Sequence, residues 1–130
     1  MSDFEHGAMK ELKVGKYVMV DGVPCKVVEI EVSAPGKHGA AKMRVTAIAI
    51  FEGTKKTLLK PADAGIQVPI IDRKRGQIVS LTGDMAQVMD LATFETFEMK
   101  IPEEFKADAV QGREVEFIET MGRKLINRIS

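Results

Sequence analysis

From Leu12 onward, apolar and polar residues exchange in short runs separated by turn formers, the pattern of small sheets or barrels. Residues 16–20 and 23–27 flank Asp21-Gly22, a dipeptide suited to a tight hairpin because glycine accepts the positive φ of a primed turn. The next run puts Val28, Ile30 and Val32 on one face and Glu29 and Glu31 on the other, as in a half-exposed strand. Its partner, residues 43–51, places Arg44 and Thr46 beside Val45 and Ala47 before becoming wholly apolar. A fifth strand at 55–59 follows Glu52-Gly53-Thr54, and Lys60-Pro61-Ala62-Asp63-Ala64-Gly65 is another break rich in turn formers. Five short strands in this order fit a small SH3-like barrel.

A second series follows Val68-Pro69, where proline fixes its own φ and biases the residue before it towards an extended form. The expected division is 1–68 and 69–130, with a linker over 68–72. Strands are expected at 77–82, 85–91 and 94–101, the first two joined by Gly83-Asp84. Pro102-Glu103-Glu104 reads as the start of a short helix ending near Val110, and strands at 114–119 and 124–129 are separated by Met121-Gly122. Three strands, a helix and two strands is the order of a small OB-fold barrel. The fold class is therefore all-β, in two small barrels.

Composition narrows the functions open to such a chain. Cys25 is the single cysteine, which excludes an internal disulfide framework and a cysteine-rich zinc site, and points to a reducing cytoplasmic setting. The first ten residues, with Asp3, Glu5 and His6, lack a signal-peptide pattern, and His6 reads as part of a mobile tail. No run reaches membrane-spanning length, so no membrane partner is expected. Net charge is zero, but residues 1–68 hold ten Lys/Arg against eight Asp/Glu, and residues 69–130 nine against eleven. A broad positive field for sequence-independent nucleic-acid binding is absent, and any RNA contact must be local.

The least ordinary stretch is Ser33-Ala34-Pro35-Gly36-Lys37-His38-Gly39-Ala40-Ala41-Lys42, which contains no large apolar side chain. Pro35 stiffens it, Gly36 and Gly39 open conformations closed to other residues, and the alanines cannot cover Lys37 or His38. A lysine so placed can meet a phosphate, an acidic pocket or a modifying enzyme. An ordinary hairpin loop with a solvated lysine explains the same residues. A P-loop does not, since His38 stands where Ser/Thr is required and Glu31 where the first glycine should be. His38 has no metal-ligating neighbour at suitable spacing.

Gly36-Lys37-His38-Gly39 with Ala41-Lys42, between the second pair of strands of an SH3-like domain, resembles the hypusine loop of the translation initiation factor 5A family. The resemblance extends over residues 12–30, Val68-Pro69-Ile70-Ile71, Gly83-Asp84 and Met89-Asp90-Leu91. The chain's length resembles the archaeal branch. Ala34-Pro35 and Ala40 depart from the eukaryotic pattern, and bacterial elongation factor P, a relative, normally has a third domain and lacks the Lys-His pair. The resemblance implies that Lys37 receives an aminobutyl group from spermidine through deoxyhypusine synthase, with no other cofactor. It also implies that Pro35, Gly36, His38 and Gly39 serve recognition, and that the factor acts at the ribosome on peptidyl-tRNA, promoting peptide bonds on poor substrates such as consecutive prolines.

A rival reading is a generic RNA-binding protein acting through Lys42, Arg44, Lys55 and Lys56 without modification. Arg73-Lys74-Arg75, by default a solvated linker, is a further candidate RNA contact. Single-strand-binding OB-folds use aromatic platforms and a basic groove, whereas residues 69–130 have no Tyr or Trp. Phe94, Phe97, Phe105 and Phe117 are expected in the core. No nucleophile–base pair, metal set or cofactor loop supports an enzyme.

Overall fold

The computed structural model describes residues 3–33 and 41–130. The chain is all-β and forms two compact units, Met1–Ile70 and Ile71–Ser130. The first is an SH3-like curled sheet and the second an OB-type one.

In the first unit, strands β2 (Tyr17–Val20), β3 (Val23–Ser33), β4 (Lys42–Ala49) and β5 (Lys55–Pro61) pair antiparallel in chain order. The Asp21-Gly22 turn is of the expected kind, with φ of 52° and 80° at its two central residues. β3 is one continuous strand where two were expected. Its pairing with β4 slips between Val27 and Glu29, leaving Val28 as an extra residue. That bulge reverses the inward phase, so that Val27 faces Ala47 and Ile30 faces Val45. Val28 and Val32 are exposed, at 47% and 62%, because one lies in the bulge and the other near the hairpin end. β4 keeps strict alternation, burying Met43, Val45, Ala47 and Ala49.

Two strands escaped the sequence reading. β1 (Phe4–Ala8) and β6 (Gly65–Pro69) pair antiparallel, His6 opposite Gln67. His6 is therefore part of a ladder and not of a mobile tail. The 3-10 turn Met9–Glu11 follows β1, and the Met9 and Lys10 N–H groups donate to Ala64 O and Ala62 O, each at 3.0 Å. These bonds seat Met9, fully buried, in a core shared with Val18, Val27 and Val45.

In the second unit the strands are β7 (Asp72–Thr82), β8 (Met85–Asp90), β9 (Thr96–Lys100), β10 (Glu114–Thr120) and β11 (Arg123–Ile129), in the order β11-β10-β7-β8-β9. β7 spans both halves of the sheet: residues 72–77 pair with β10 and residues 76–82 with β8. Arg73-Lys74-Arg75 is thus strand, not linker. Met121 and Gly122, with φ of 52° and 75°, make the β10–β11 turn.

The helix expected after Pro102 does not form. Residues 103–105 make one 3-10 turn, with Phe105 N–H donating to Pro102 O at 2.9 Å and Asp108 N–H to Phe105 O at 3.0 Å. So short a segment does not overcome helix nucleation by itself. Instead Lys106 Nζ bridges Asp84, at 2.9 Å, and Glu103, at 2.6 Å, holding the turn against the β7–β8 hairpin. Phe117 is fully buried, and Phe97 and Phe105 pack on the same core, but Phe94 is 71% exposed, contrary to expectation.

Gly76 lies where β7 crosses the core. A Cβ there would overlap Val88 Cγ1 and lie 3.0 Å from Met89 O and 3.1 Å from Phe117 Cε1. Val88 and Phe117 are fully buried and cannot retreat. Gly76→Ala should therefore destabilise the second unit by about 1–3 kcal/mol, the usual range for overpacking. Thermal unfolding should show a melting temperature lower by at least several degrees; an unchanged value would contradict this packing.

One end of this core is closed by charge. Glu119 accepts a 2.8 Å hydrogen bond from Lys74 and lies 3.4 Å from Lys124, whose ammonium sits 4.1 Å from the Phe97 ring centroid. The Lys74 hydrogen bond, aided by the Lys124 charge, lowers the Glu119 pKa from its ordinary 4.5 despite opposing desolvation. A depressed folded pKa gives stability that is present above pH 4.5 and is lost as pH falls through the folded value. Glu119 in turn raises the Lys74 pKa above 10.5, so that partner's contribution fades only as pH rises beyond that value. Glu119→Gln should cost up to about 1 kcal/mol at pH 7. The difference from the parent should close towards pH 3 in urea titrations, and a gap of equal size at both pH values would exclude the ion pair as its origin.

Candidate functional site at the beta-hairpin neck

Ser33 and Lys42 form the last pair of the β3–β4 ladder, and the residues between them include the segment 34–40. Pro35, Gly36, Lys37, His38 and Gly39 lie outside the described residues. What is described is the neck from which they continue. Ser33 Oγ donates to Lys42 O at 3.4 Å, and Ala62 N–H donates to Ala41 O at 2.8 Å. Lys42 also pairs with Pro61 of β5, so the returning strand is held from both sides.

Alternation along β4 decides what the neck presents. Met43 and Val45 point into the core, so Lys42 and Arg44 point to solvent on the opposite face. Arg44 lies in a row between Glu31 of β3 and Leu59 of β5, and Lys42 in the next row between Ser33 and Pro61. Among the described residues neither Lys42 nor Arg44 forms an ion pair. Leu59, 65% exposed, adds an apolar contact beside these cations. Sequence reading missed it because apolar residues of an edge strand are indistinguishable from core ones by type alone.

The other candidate cations are placed differently. Lys55 and Lys56 begin β5 opposite Ile48 and Ala47, at the end of the sheet away from the neck. Lys56 is 3.6 Å from Asp21. In the second unit each member of the basic triplet has a carboxylate partner: Arg73 with Glu116 at 3.8 Å, Lys74 with Glu119, and Arg75 with Glu114. Of the three, only Arg75–Glu114 is exposed on both sides, where an ion pair contributes little.

Other chemistry is not assembled among the described residues. Cys25 is fully buried, and burial pushes its thiol pKa up, away from nucleophilic use. No three His, Cys, Asp or Glu residues gather in a way that could hold a metal ion, among those described. No helix there is long and apolar enough to cross a membrane.

Comparison with known proteins adds the family. Residues 5–64 match the family described as translation initiation factor 5A-like, N-terminal. A translation initiation factor 5A from Archaeoglobus fulgidus is 50% identical over 122 residues, covering 94% of this chain and 95% of the relative. Another, from Methanocaldococcus jannaschii, is 53% identical over 118 residues, covering 91% and 89%. Among solved structures, a eukaryotic translation initiation factor 5A from Methanococcus jannaschii superposes with a TM-score of 0.91 at 49% identity, covering 100% of this chain and 97% of that one. A family protein from Naegleria fowleri gives 0.73 at 30% identity, covering 99% of each chain. These relatives are named as translation initiation factors. With identity near one half sustained over nine-tenths of the sequence and the same two-barrel fold, the chain belongs to the translation initiation factor 5A family.

Proposed function

We propose that the protein is a cytoplasmic translation factor that binds the ribosome and positions peptidyl-tRNA through a spermidine-derived modification of Lys37. The observation that carries this reading is the neck: a braced hairpin end where Lys42 and Arg44, which form no ion pair among the described residues, follow the Gly36-Lys37-His38-Gly39 sequence. Deoxyhypusine synthase adds the aminobutyl group, leaving deoxyhypusine or, after hydroxylation, hypusine. Pro35, Gly36, His38 and Gly39 serve as the recognition sequence around it.

The added chain lengthens the lysine by roughly 6 Å at ordinary bond lengths and brings a second amine. The product is a thin, doubly charged probe on a small loop. Lys42 and Arg44 meet phosphates of RNA near the loop's base, supplying affinity without sequence choice. Holding the acceptor end of peptidyl-tRNA in a reactive arrangement speeds difficult steps, such as bonds between consecutive prolines, by positioning alone. Lys55 and Lys56 lie away from the neck and are not assigned to this contact.

Lys37→Arg keeps a cation but cannot accept the aminobutyl group. It should abolish stimulation of proline–proline synthesis while ribosome affinity stays within about tenfold of the parent, a change near 1.4 kcal/mol. Removing Lys42 and Arg44 together should weaken ribosome binding and flatten its salt dependence. Affinity and synthesis measured side by side decide the matter: full activity in Lys37→Arg excludes the modification as the working part. A large loss from Lys55→Ala/Lys56→Ala with none from Lys37→Arg would favour unmodified RNA binding instead.

A further inference from the structure

The β8–β9 turn breaks two rules of a folded surface at one residue. Phe94 is 71% exposed, and its φ of 64° lies in the left-handed region, where a bulky side chain is strained. Its N–H donates to Asp90 O at 2.7 Å, and the Asp90 N–H donates to Glu95 O at 2.8 Å. Asp90, 3% exposed, also accepts from the N–H groups of Ala92 and Thr93 through Oδ1, at 2.8 and 3.3 Å. Leu91 N–H donates to Arg75 O at 3.1 Å, fastening the turn to β7. A strained, exposed ring is thus held on a rigid support.

Beside that turn is a hollow of about 450 Å³, lined by Arg73, Lys74 and Arg75 and by residues 90–93. Its volume suits a small planar ligand. Arg73 and Arg75 share the outer face of β7, and their side chains are 55% and 74% exposed. Glu114, 46% exposed, is a surface carboxylate that a phosphate can replace, and Glu116, 22% exposed, lies 3.8 Å from Arg73, a long contact. We infer that this end of the second unit is a contact site for single-stranded RNA, with a base stacked on Phe94 and its phosphates met by Arg73 and Arg75.

Stacking on one aromatic ring tolerates any base, and the arginines that line the hollow beside its turn are suited to the backbone. An acidic protein segment would satisfy the arginines but would leave the ring without a planar partner. The site also differs in position from the strand face and loops by which OB barrels generally hold single strands. It involves neither the β3–β4 loop nor Lys37, so it stands or fails separately from the function proposed above.

The test uses the full unmodified chain and a fluorescent oligouridine of twelve residues at low salt. Phe94→Gly should lower affinity roughly 5- to 100-fold, the span expected for one lost stack. Because glycine accepts the left-handed φ, the same variant should unfold at an equal or higher temperature, which separates the loss from misfolding. Arg75→Ala should weaken binding and reduce the slope of log affinity against log salt by about 0.7, the loss of one phosphate contact. Lys37→Arg should bind as the parent does. No binding by the parent, equal binding by Phe94→Gly, or a loss in Lys37→Arg with Phe94→Gly intact would overturn the site. So would a glutamate-rich peptide that binds Arg75 and Phe94 while the RNA does not.

Discussion

The first unit depends on one antiparallel ladder, that of β3 with β4, because it must deliver two strand ends side by side with the correct faces outward. Period-two alternation alone would carry Val27 and Glu29 to the same face, and continuing that phase would bury glutamates. The extra residue Val28 resets the phase, placing Ile30 opposite Val45 and turning Glu29 and Glu31 to solvent. Once that register is set, the face of every residue at the neck follows. Arg44 has to lie beside Glu31 and Leu59, and Lys42 beside Ser33 and Pro61.

Internal carboxylates make the cations unequal despite similar sequence surroundings. A charge on a strand is most available to a partner when no internal carboxylate satisfies it, or when the carboxylate that does is itself exposed. Lys42 and Arg44 lack an ion pair among the described residues, whereas Lys56, Arg73, Lys74 and Arg75 each have one. The strengths of those pairs also differ. Lys74 and Glu119 perturb each other's protonation and close the end of a core, which is a structural task. Arg73 and Arg75 face outward, the first in a long contact with half-buried Glu116 and the second paired to exposed Glu114, and remain available. A cluster that reads as three equivalent charges in the sequence is one structural lysine and two surface arginines.

Much of the architecture was legible before any coordinates, and the failures share a cause. The hairpin at Asp21-Gly22, the alternation of β4 and the order of most strands in each unit follow from local pattern and turn chemistry. β1 and β6 were missed because Phe4–Ala8 has no fully buried residue and no alternation; its strand state comes from pairing with residues some sixty positions away. The bulge at Val28 was invisible for the same reason, as only the partner strand shows which residue is extra. The segment after Pro102 carried helix-start signals, but Lys106 and the turns around it decided its form. At the candidate site, residue types singled out Lys37 and its neighbours, while the outward face of Lys42 and Arg44 needed the ladder. The resemblance to a family supplied what spacing could not.

Phe94 shows how a misread residue can be informative. A phenylalanine in an apolar-rich segment is assigned to the core on type alone, and three of the four in the second unit named for that role obey. The fourth is exposed, at a left-handed φ that glycine or asparagine would occupy with less strain. The supporting hydrogen bonds explain how the turn is maintained, since buried Asp90 satisfies its N–H groups in place. They do not explain why the side chain is aromatic, because every one of those bonds uses backbone atoms or Asp90 itself. A glycine would make the same turn without strain and without exposing apolar surface. Those bonds therefore leave the ring unaccounted for, and the stacking contact inferred above would use it.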